Sequence, residues 1–206
     1  MKKTLSILLA LLLTGMLAAC GNDITNDSVL ETAPPESQME ETTTSEAEPP
    51  TAELISTEPE FDLDAGTVTL NNGVSMPILG IGTFALSDSE AEESVYWALR
   101  DGYRLIDTAR IYGDEAGVGR AIRRAIDEGL VTREEIFVTT KMWTSDYGNG
   151  DAAINASLER LGLDYIDLMI LHHSQPENDV VAYKAMEQAV ADGRLKAIGL
   201  SNYDRG

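Results

Sequence analysis

The sequence predicts an α/β fold in which short parallel strands alternate with helices. Five β-rich runs and four helical stretches alternate over residues 79–202. Asp107, Lys141, His172 and Asn202 follow one another at intervals of 30 to 34 residues, about one strand–helix unit. Because a repeat of this size implies crossover helices, the strands are predicted to be parallel. Asp107, Tyr112, Lys141 and His172, at or just past strand ends, are predicted to share one mouth.

Each predicted strand is a short run rich in aliphatic, β-branched or aromatic residues. The runs cover residues 79–85, 103–108, 136–141, 165–172 and 195–202. A β-hairpin is predicted ahead of them, because residues 67–70 and 74–78 flank an Asn-Gly turn at Asn72-Gly73. This hairpin is expected to close the bottom of a barrel.

Each predicted helix combines an apolar stripe with a start or stop signal. The first has a capping box, with Ser87 three residues before Glu90, and ends at Gly102. The stripes of the four helices are Ala91, Val95, Ala98 and Leu99; Val118, Ile122, Ala125 and Ile126; Ile154, Leu158 and Leu161; and Ala182, Ala185, Met186, Ala189 and Val190.

The first 20 residues have the pattern of a bacterial export signal. Lys2 and Lys3 precede an apolar run, and Leu17-Ala18-Ala19-Cys20 follows it. This arrangement resembles a lipobox, which implies cleavage before Cys20 and lipid attachment to its thiol. The expected location is therefore the extracytoplasmic face of the cell membrane. An uncleaved anchor, or an ordinary signal peptide with an incidental cysteine, is the alternative.

Residues 21–64 are predicted to be a disordered acidic tether. They contain 13 acidic residues, no Lys or Arg, and two Pro-Pro pairs. Such a segment buries too little apolar surface to offset its chain entropy. An acidic interaction tail is the alternative. Residues 65–206 are left for the folded domain.

Charge and cysteine content exclude two classes of function. Residues 65–206 carry 22 acidic and 13 basic residues, so no basic stripe faces the phosphates of a nucleic acid. Cys20 is the only cysteine, which excludes a disulfide or a thiolate metal site within one chain. The only histidines are His172 and His173, and no metal centre is predicted.

A series of short motifs runs through residues 68–206 in order. The motifs are Leu70-Asn71-Asn72-Gly73, Met76-Pro77, Gly80-Ile81-Gly82-Thr83, Leu105-Ile106-Asp107-Thr108-Ala109, Tyr112-Gly113, Thr139-Thr140-Lys141-Met142-Trp143, Asp164-Tyr165-Ile166-Asp167-Leu168, Gly193-Arg194-Leu195 and Ile198-Gly199-Leu200-Ser201-Asn202-Tyr203. Together they resemble the aldo-keto reductase superfamily. The resemblance implies a (β/α)8 (TIM) barrel that reduces aldehydes or ketones to alcohols with NADPH, NAD being the alternative. Since that barrel has eight strands and five are predicted, the chain is expected to be its N-terminal part.

The resemblance also implies four catalytic residues. Tyr112 is the general acid that protonates the carbonyl oxygen as hydride reaches the carbon. Lys141 lies beside the phenol and favours the phenolate, and Asp107 holds Lys141 in place. His172 orients the carbonyl by a hydrogen bond.

Ligand contacts follow from the same resemblance. The cofactor positions are Thr83, Asp107, Ser201 and Asn202. The substrate positions are Phe84, Tyr112, Trp143, His172 and His173. His173 stands where the family commonly has Trp, which predicts a more polar pocket wall. The expected partner is a small carbonyl compound, and the oligomeric state stays open.

Each of these positions has a structural alternative. Asp107 could cap a helix, Lys141 could lie along the surface, Tyr112 could be a loop aromatic and His172 a core histidine. Phe84 and Trp143 could be packing groups only. For the whole protein, export away from cytoplasmic NADPH motivates a second hypothesis, a tethered binding or regulatory barrel without turnover. An inactive piece of a longer reductase is a third.

Overall fold

Residues 60–203, the part of the chain that the computed structural model describes, form two sheets and four α-helices. The strands are β1 Glu60–Asp62, β2 Thr67–Thr69, β3 Ser75–Pro77, β4 Gly80–Gly82, β5 Leu105–Asp107, β6 Phe137–Met142, β7 Ile166–Leu171 and β8 Leu195–Leu200. The helices are α1 Asp88–Arg100, α2 Glu115–Asp127, α3 Gly150–Leu161 and α4 Asp179–Ala191. The predictions for the leader, for Cys20 and for residues 21–59 lie outside the described residues.

The larger sheet has five parallel strands in the order β4-β5-β6-β7-β8. Each of the helices α1 to α4 connects two consecutive strands. Strand order therefore equals chain order, as in a barrel built by adding one strand–helix unit after another. The predicted fold class, a (β/α)8 barrel represented by its first five strands behind an N-terminal hairpin, is confirmed.

The predicted hairpin is present as the antiparallel pair β2 and β3, in which Val68 lies opposite Met76. Gly73 at its turn has a φ of 83°, a conformation that favours glycine. The Asn72 side chain donates a hydrogen bond to the Lys196 carbonyl oxygen near the start of β8, at 2.9 Å. The hairpin thus lies at the amino-terminal end of the parallel strands.

Strand β1 corrects one predicted boundary. It pairs with β2, with Phe61 opposite Val68, although residues 60–62 fall within the segment predicted to be a tether. The acidic composition of residues 21–64 gave no reason to predict a strand there. A strand can still form, because an edge strand needs only backbone hydrogen bonds to its neighbour. The folded part therefore begins at least five residues before the predicted boundary, at Glu60.

Two barrel strands end two or more residues earlier than predicted. β4 ends at Gly82, because the next residues turn away and Ala85 has a φ of 66°. β8 ends at Leu200, and Asn202 has a φ of 57°. The chain therefore leaves the sheet earlier than the apolar runs suggest, at the edge where the predicted site residues lie.

The core lies between the sheet and the helices. Its fully buried strand residues include Ile106, Val138, Met169 and Leu171, and its helix residues include Val95, Leu99, Val118, Ile122, Ile154, Leu161 and Met186. Burial of these apolar side chains holds each helix on the sheet. No helix within residues 60–203 is both long and apolar enough to cross a membrane.

Candidate active site

The predicted site residues lie at the carboxyl ends of neighbouring parallel strands. Asp107 is the last residue of β5, Lys141 is the penultimate residue of β6, and His172 directly follows β7. Tyr112 ends the short 3₁₀ turn Arg110–Tyr112 that follows β5. Because parallel strands end at the same edge, residues far apart in sequence meet there.

Lys141 is the centre of a hydrogen-bonded group. Its ammonium donates to Asp107 Oδ1 at 2.5 Å and to the Thr108 carbonyl oxygen at 3.0 Å. The Tyr112 hydroxyl lies 3.5 Å from the same nitrogen. Lys141 is only 9% exposed, so its charge is poorly hydrated and depends on these partners. A carboxylate, an ammonium and a phenol are thereby aligned, an arrangement that suits proton transfer.

His172 packs against the ring of Tyr112. The two rings meet edge to face with their centroids 5.8 Å apart. Burial lowers the pKa of His172, and the positive charge of Lys141 and the nearby His173 lower it further, against a smaller opposing effect of Asp107. A lowered pKa keeps the imidazole neutral at neutral pH. His172 Nδ1 is buried without a hydrogen-bond partner, which leaves Nε2 as the ring nitrogen that a ligand can approach.

Aromatic rings surround Tyr112 and His172. Phe84 meets the Tyr112 ring edge to face at 5.2 Å, and Trp143 meets His172 at 5.2 Å. His173 stacks on His172 with centroids 5.0 Å apart and touches Trp143 edge to face at 5.5 Å. The structure therefore brings all five predicted substrate positions together. Phe84 is 75% exposed and forms the rim.

The four predicted cofactor positions differ in their surroundings. Thr83 is fully buried, and its amide and hydroxyl both donate to the Asp107 carbonyl oxygen, at 3.0 and 3.4 Å. Asn202 Nδ2 donates to the His172 carbonyl oxygen at 2.8 Å and to Ser201 Oγ at 2.9 Å. A hydroxyl and an amide therefore lie beside His172, a set of polar groups that fits the carboxamide of a nicotinamide ring.

Several residues that support this site were not predicted from the sequence. Asp114 and Glu115 are buried and accept hydrogen bonds from the hydroxyls of Thr108 and Thr140. Tyr147 is fully buried, and its hydroxyl donates to the His173 carbonyl oxygen at 2.8 Å. In the sequence, acidic residues at a helix start look like ordinary first-turn residues, so no local signal marks their burial.

A metal-dependent site is not evident in the described part of the chain. Among residues 60–203, no group of three or more His, Cys, Asp or Glu side chains is arranged to hold a metal ion. The two histidine rings stack on each other at an angle of 14°.

A parallel strand–helix repeat with ionisable side chains at the carboxyl ends of its strands is the arrangement found in the (β/α)8-barrel class. Residues 77–206 match the aldo/keto reductase family. This chain belongs to that family.

The chain is similar to several characterised or named oxidoreductases. It is 46% identical over 138 residues to the uncharacterized oxidoreductase YtbE of Bacillus subtilis, covering 66% of this chain and 49% of the relative. It is 48% identical over 142 residues to morphine 6-dehydrogenase of Pseudomonas putida, covering 66% and 46%. It is 46% identical over 140 residues to glyoxal reductase of Bacillus subtilis, covering 66% and 49%. The chain spans about half the length of the curated relatives it matches.

Solved structures of aldo-keto reductases are also similar to this chain. An aldo-keto reductase of Bombyx mori in complex with NADP is 39% identical, with a TM-score of 0.62, and the match covers 67% of this chain and 50% of that chain. An aldo/keto reductase from Brucella melitensis is 42% identical, with a TM-score of 0.63, and the match covers 67% and 53%. The shared fold extends over the strand–helix units that carry the candidate site.

Proposed function

We propose that this protein is a nicotinamide-dependent oxidoreductase that reduces an aldehyde or ketone carbonyl to an alcohol. The observation that carries the proposal is the position of the Lys141 ammonium between the Asp107 carboxylate and the Tyr112 phenol. Family membership supports it, as do relatives named for glyoxal reduction and morphine dehydrogenation.

Tyr112 is the proposed proton donor. Negative charge builds on the carbonyl oxygen as the carbon is reduced, so a proton must reach that oxygen. A phenol holds its proton firmly at neutral pH, so the transfer needs assistance. The Lys141 ammonium, 3.5 Å away, stabilises the phenolate that remains after the transfer. Asp107 keeps Lys141 in place and balances its charge.

His172 is the proposed orienting group. Its neutral imidazole, whose ring meets the Tyr112 ring edge to face, can present Nε2 to the carbonyl oxygen. A hydrogen bond from this nitrogen would hold the oxygen near the Tyr112 hydroxyl. The stacked His173 ring and the Trp143 edge keep His172 from turning away. A small carbonyl compound fits this mouth, whose wall combines Phe84 and Trp143 with the polar His173.

Ser201 and Asn202 are the residues proposed to hold the nicotinamide carboxamide, with Thr83 and Asp107 at the neighbouring strand ends. When bound, the nicotinamide supplies the hydride. NADP is the proposed form, with NAD as the alternative, because a structural relative binds NADP. Asn202 is already fixed by its bonds to His172 and Ser201, so little ordering is needed on binding.

We also propose that the protein is attached to the extracytoplasmic face of the membrane through a lipid on Cys20. The support is the order of Lys2-Lys3, an apolar run and Leu17-Ala18-Ala19-Cys20 in the sequence.

The first prediction concerns Tyr112→Phe. Removing the hydroxyl should lower the rate of glyoxal reduction by NADPH by about 10²- to 10⁴-fold, since the proton donor is lost. NADPH binding, followed by its fluorescence, should stay unchanged. The measurement is NADPH consumption by the full-length chain, with Tyr103→Phe, an exposed tyrosine at 37%, as the matched control.

Three outcomes separate the hypotheses. Equal rates for Tyr112→Phe and the unsubstituted chain would exclude Tyr112 as the donor. Tight NADPH binding without turnover on any aldehyde or ketone would favour the tethered binding or regulatory barrel. The absence of both binding and turnover would contradict the proposed function.

A further inference from the structure

Below the candidate site, a buried hydrogen-bond network joins three elements. Thr140 Oγ1 of β6 donates to Glu115 Oε1 at 2.7 Å. Arg160 Nε of α3 donates to Glu115 Oε2 at 2.6 Å, and Arg160 Nη2 donates to Ser157 Oγ at 3.0 Å. We call these four residues the Glu115 network. It connects the start of α2 with β6 and with α3.

The Glu115 network fixes the position of the Glu115 carboxylate. Glu115 is 1% exposed and Thr140 is fully buried, so water has little access to the hydrogen bond between them. Each carboxylate oxygen has its own donor, a neutral hydroxyl on one side and a guanidinium on the other. A buried carboxylate that loses a donor is strongly destabilised. The amino-terminal end of α2 is therefore fixed against β6.

The hydrogen bond between Thr140 and Glu115 joins two residues that lie close in sequence to proposed catalytic groups. Glu115 lies three residues after Tyr112, and Thr140 directly precedes Lys141 in the strand. A second buried hydrogen bond, from Thr108 Oγ1 to Asp114 Oδ1 at 2.6 Å, forms a similar link directly after β5, where Thr108 follows Asp107. The Tyr112 segment is thus tied to both strands that carry its proposed partners.

We propose that Glu115 is a positioning residue that sets the distance between the Tyr112 hydroxyl and the Lys141 ammonium. This role rests on the proposed function of those two groups. Their separation of 3.5 Å is the outer limit of a hydrogen bond, so a small shift of the α2 start removes the interaction. Glu115 acts through Thr140 and Arg160 and does not touch the substrate.

The test uses an isosteric pair at Thr140 in the full-length chain. Thr140→Val keeps the shape and removes the donor, whereas Thr140→Ser keeps the donor. Thr140→Val should lower kcat about tenfold and leave the KM for NADPH and for glyoxal within about twofold, because orientation and not binding is lost. Thr140→Ser should retain kcat within about twofold.

A control separates positioning from stability. Val95→Ala removes buried apolar contacts in α1, away from the Glu115 network, and should lower the melting temperature without changing kcat at 25 °C. If Thr140→Val lowered only the melting temperature, as Val95→Ala is expected to do, the network would be structural alone and the proposed role of Glu115 would be wrong.

A second readout does not need turnover. With 3-fluorotyrosine placed only at position 112, the ¹⁹F resonance reports the environment of the phenol. Lys141→Met gives the reference without the ammonium. Thr140→Val should move the resonance toward that reference, and Thr140→Ser should not. An unmoved resonance in Thr140→Val overturns the proposal, whether or not the chain reduces carbonyls. A moved resonance in a chain without turnover supports the positioning role and contradicts the proposed function.

Discussion

The protonation state of His172 depends on its surroundings in the folded protein. Its ring is 8% exposed, lies near the Lys141 ammonium and stacks on His173. Burial and these neighbours lower its pKa, with Asp107 opposing. A neutral imidazole at neutral pH can donate one hydrogen bond to a carbonyl oxygen without adding a second positive charge beside Lys141.

The second prediction is a pH dependence of stability that belongs to His172. In the unfolded chain His172 takes up a proton near its ordinary pKa of 6.5, whereas the folded chain resists protonation until a lower pH. Between these values the unfolded state binds more protons, so stability falls as the pH decreases through about 6.5. The loss levels off below the folded pKa. Between pH 7 and pH 5, the melting temperature of His172→Gln should therefore fall less than that of the unsubstituted chain.

The measurement is thermal unfolding followed by circular dichroism over that pH range. His173→Gln is the comparison variant: it removes one of the smaller causes of the lowered pKa of His172 but leaves the burial of that ring and the charge of Lys141, so its loss should stay close to that of the unsubstituted chain. Parallel curves for His172→Gln and the unsubstituted chain would mean that His172 is as easily protonated in the folded state as in the unfolded one.

At the scale of elements, α2 is placed by close backbone contacts on two sides. A Cβ at Gly117 would overlap the Asp88 carbonyl oxygen of α1, and a Cβ at Gly119 would overlap the Leu161 carbonyl oxygen of α3. The Gly117 amide also donates to Asp88 Oδ1 at 2.7 Å. These glycines let three helices approach closely, and this fixes the end of α2 that follows Tyr112.

The third prediction tests this contact with Gly119→Ala. In an isolated helix the change would favour the helix by about 1 kcal/mol. Here the added methyl group meets backbone atoms that cannot turn aside, so we expect a net loss of about 1–3 kcal/mol in the free energy of unfolding. Urea unfolding measures this quantity. Gly148→Ala, where a Cβ has open space, is the control and should change it little. A Gly119→Ala chain as stable as the unsubstituted one would show that α2 and α3 can separate without loss.

At the scale of the whole molecule, the charge is unevenly distributed along the chain. The net charge is −20, and residues 21–64 contain 13 acidic residues without any Lys or Arg. Because like charges repel, a chain of this composition is not expected to bind an anionic membrane surface through its own charge, so membrane attachment depends on the proposed lipid.

The fourth prediction concerns the membrane attachment. Cys20→Ser removes the thiol that a lipid would modify, so the protein should move from the membrane fraction to the soluble fraction. Cell fractionation measures the distribution, and the mass of the N-terminal peptide reports the lipid. Tyr112→Phe serves as the control and should stay with the membrane. Retention of Cys20→Ser in the membrane fraction would favour an uncleaved anchor instead.

Much of the fold could be predicted because its signals are local. The period of the apolar stripes, the capping box at Ser87 and the Asn-Gly turn each depend on a few consecutive residues, and each is present in the structure. Strand β1 was missed, since an exposed edge strand has no burial pattern to detect. The early ends of β4 and β8 depend on backbone turns at Ala85 and Asn202, which their side chains do not announce.

The sequence alone was enough to predict which side chains share one edge of the sheet, because strand ends recur at a regular interval and parallel strands end together. It could not reveal which groups lie in hydrogen-bond contact. The 3.5 Å separation of Tyr112 and Lys141, the burial of Glu115 between Thr140 and Arg160, and the neutral state of His172 depend on residues up to 45 positions apart. Only tertiary packing brings such groups together and removes water from between them, and this desolvation gives their charges and hydrogen bonds chemical effect.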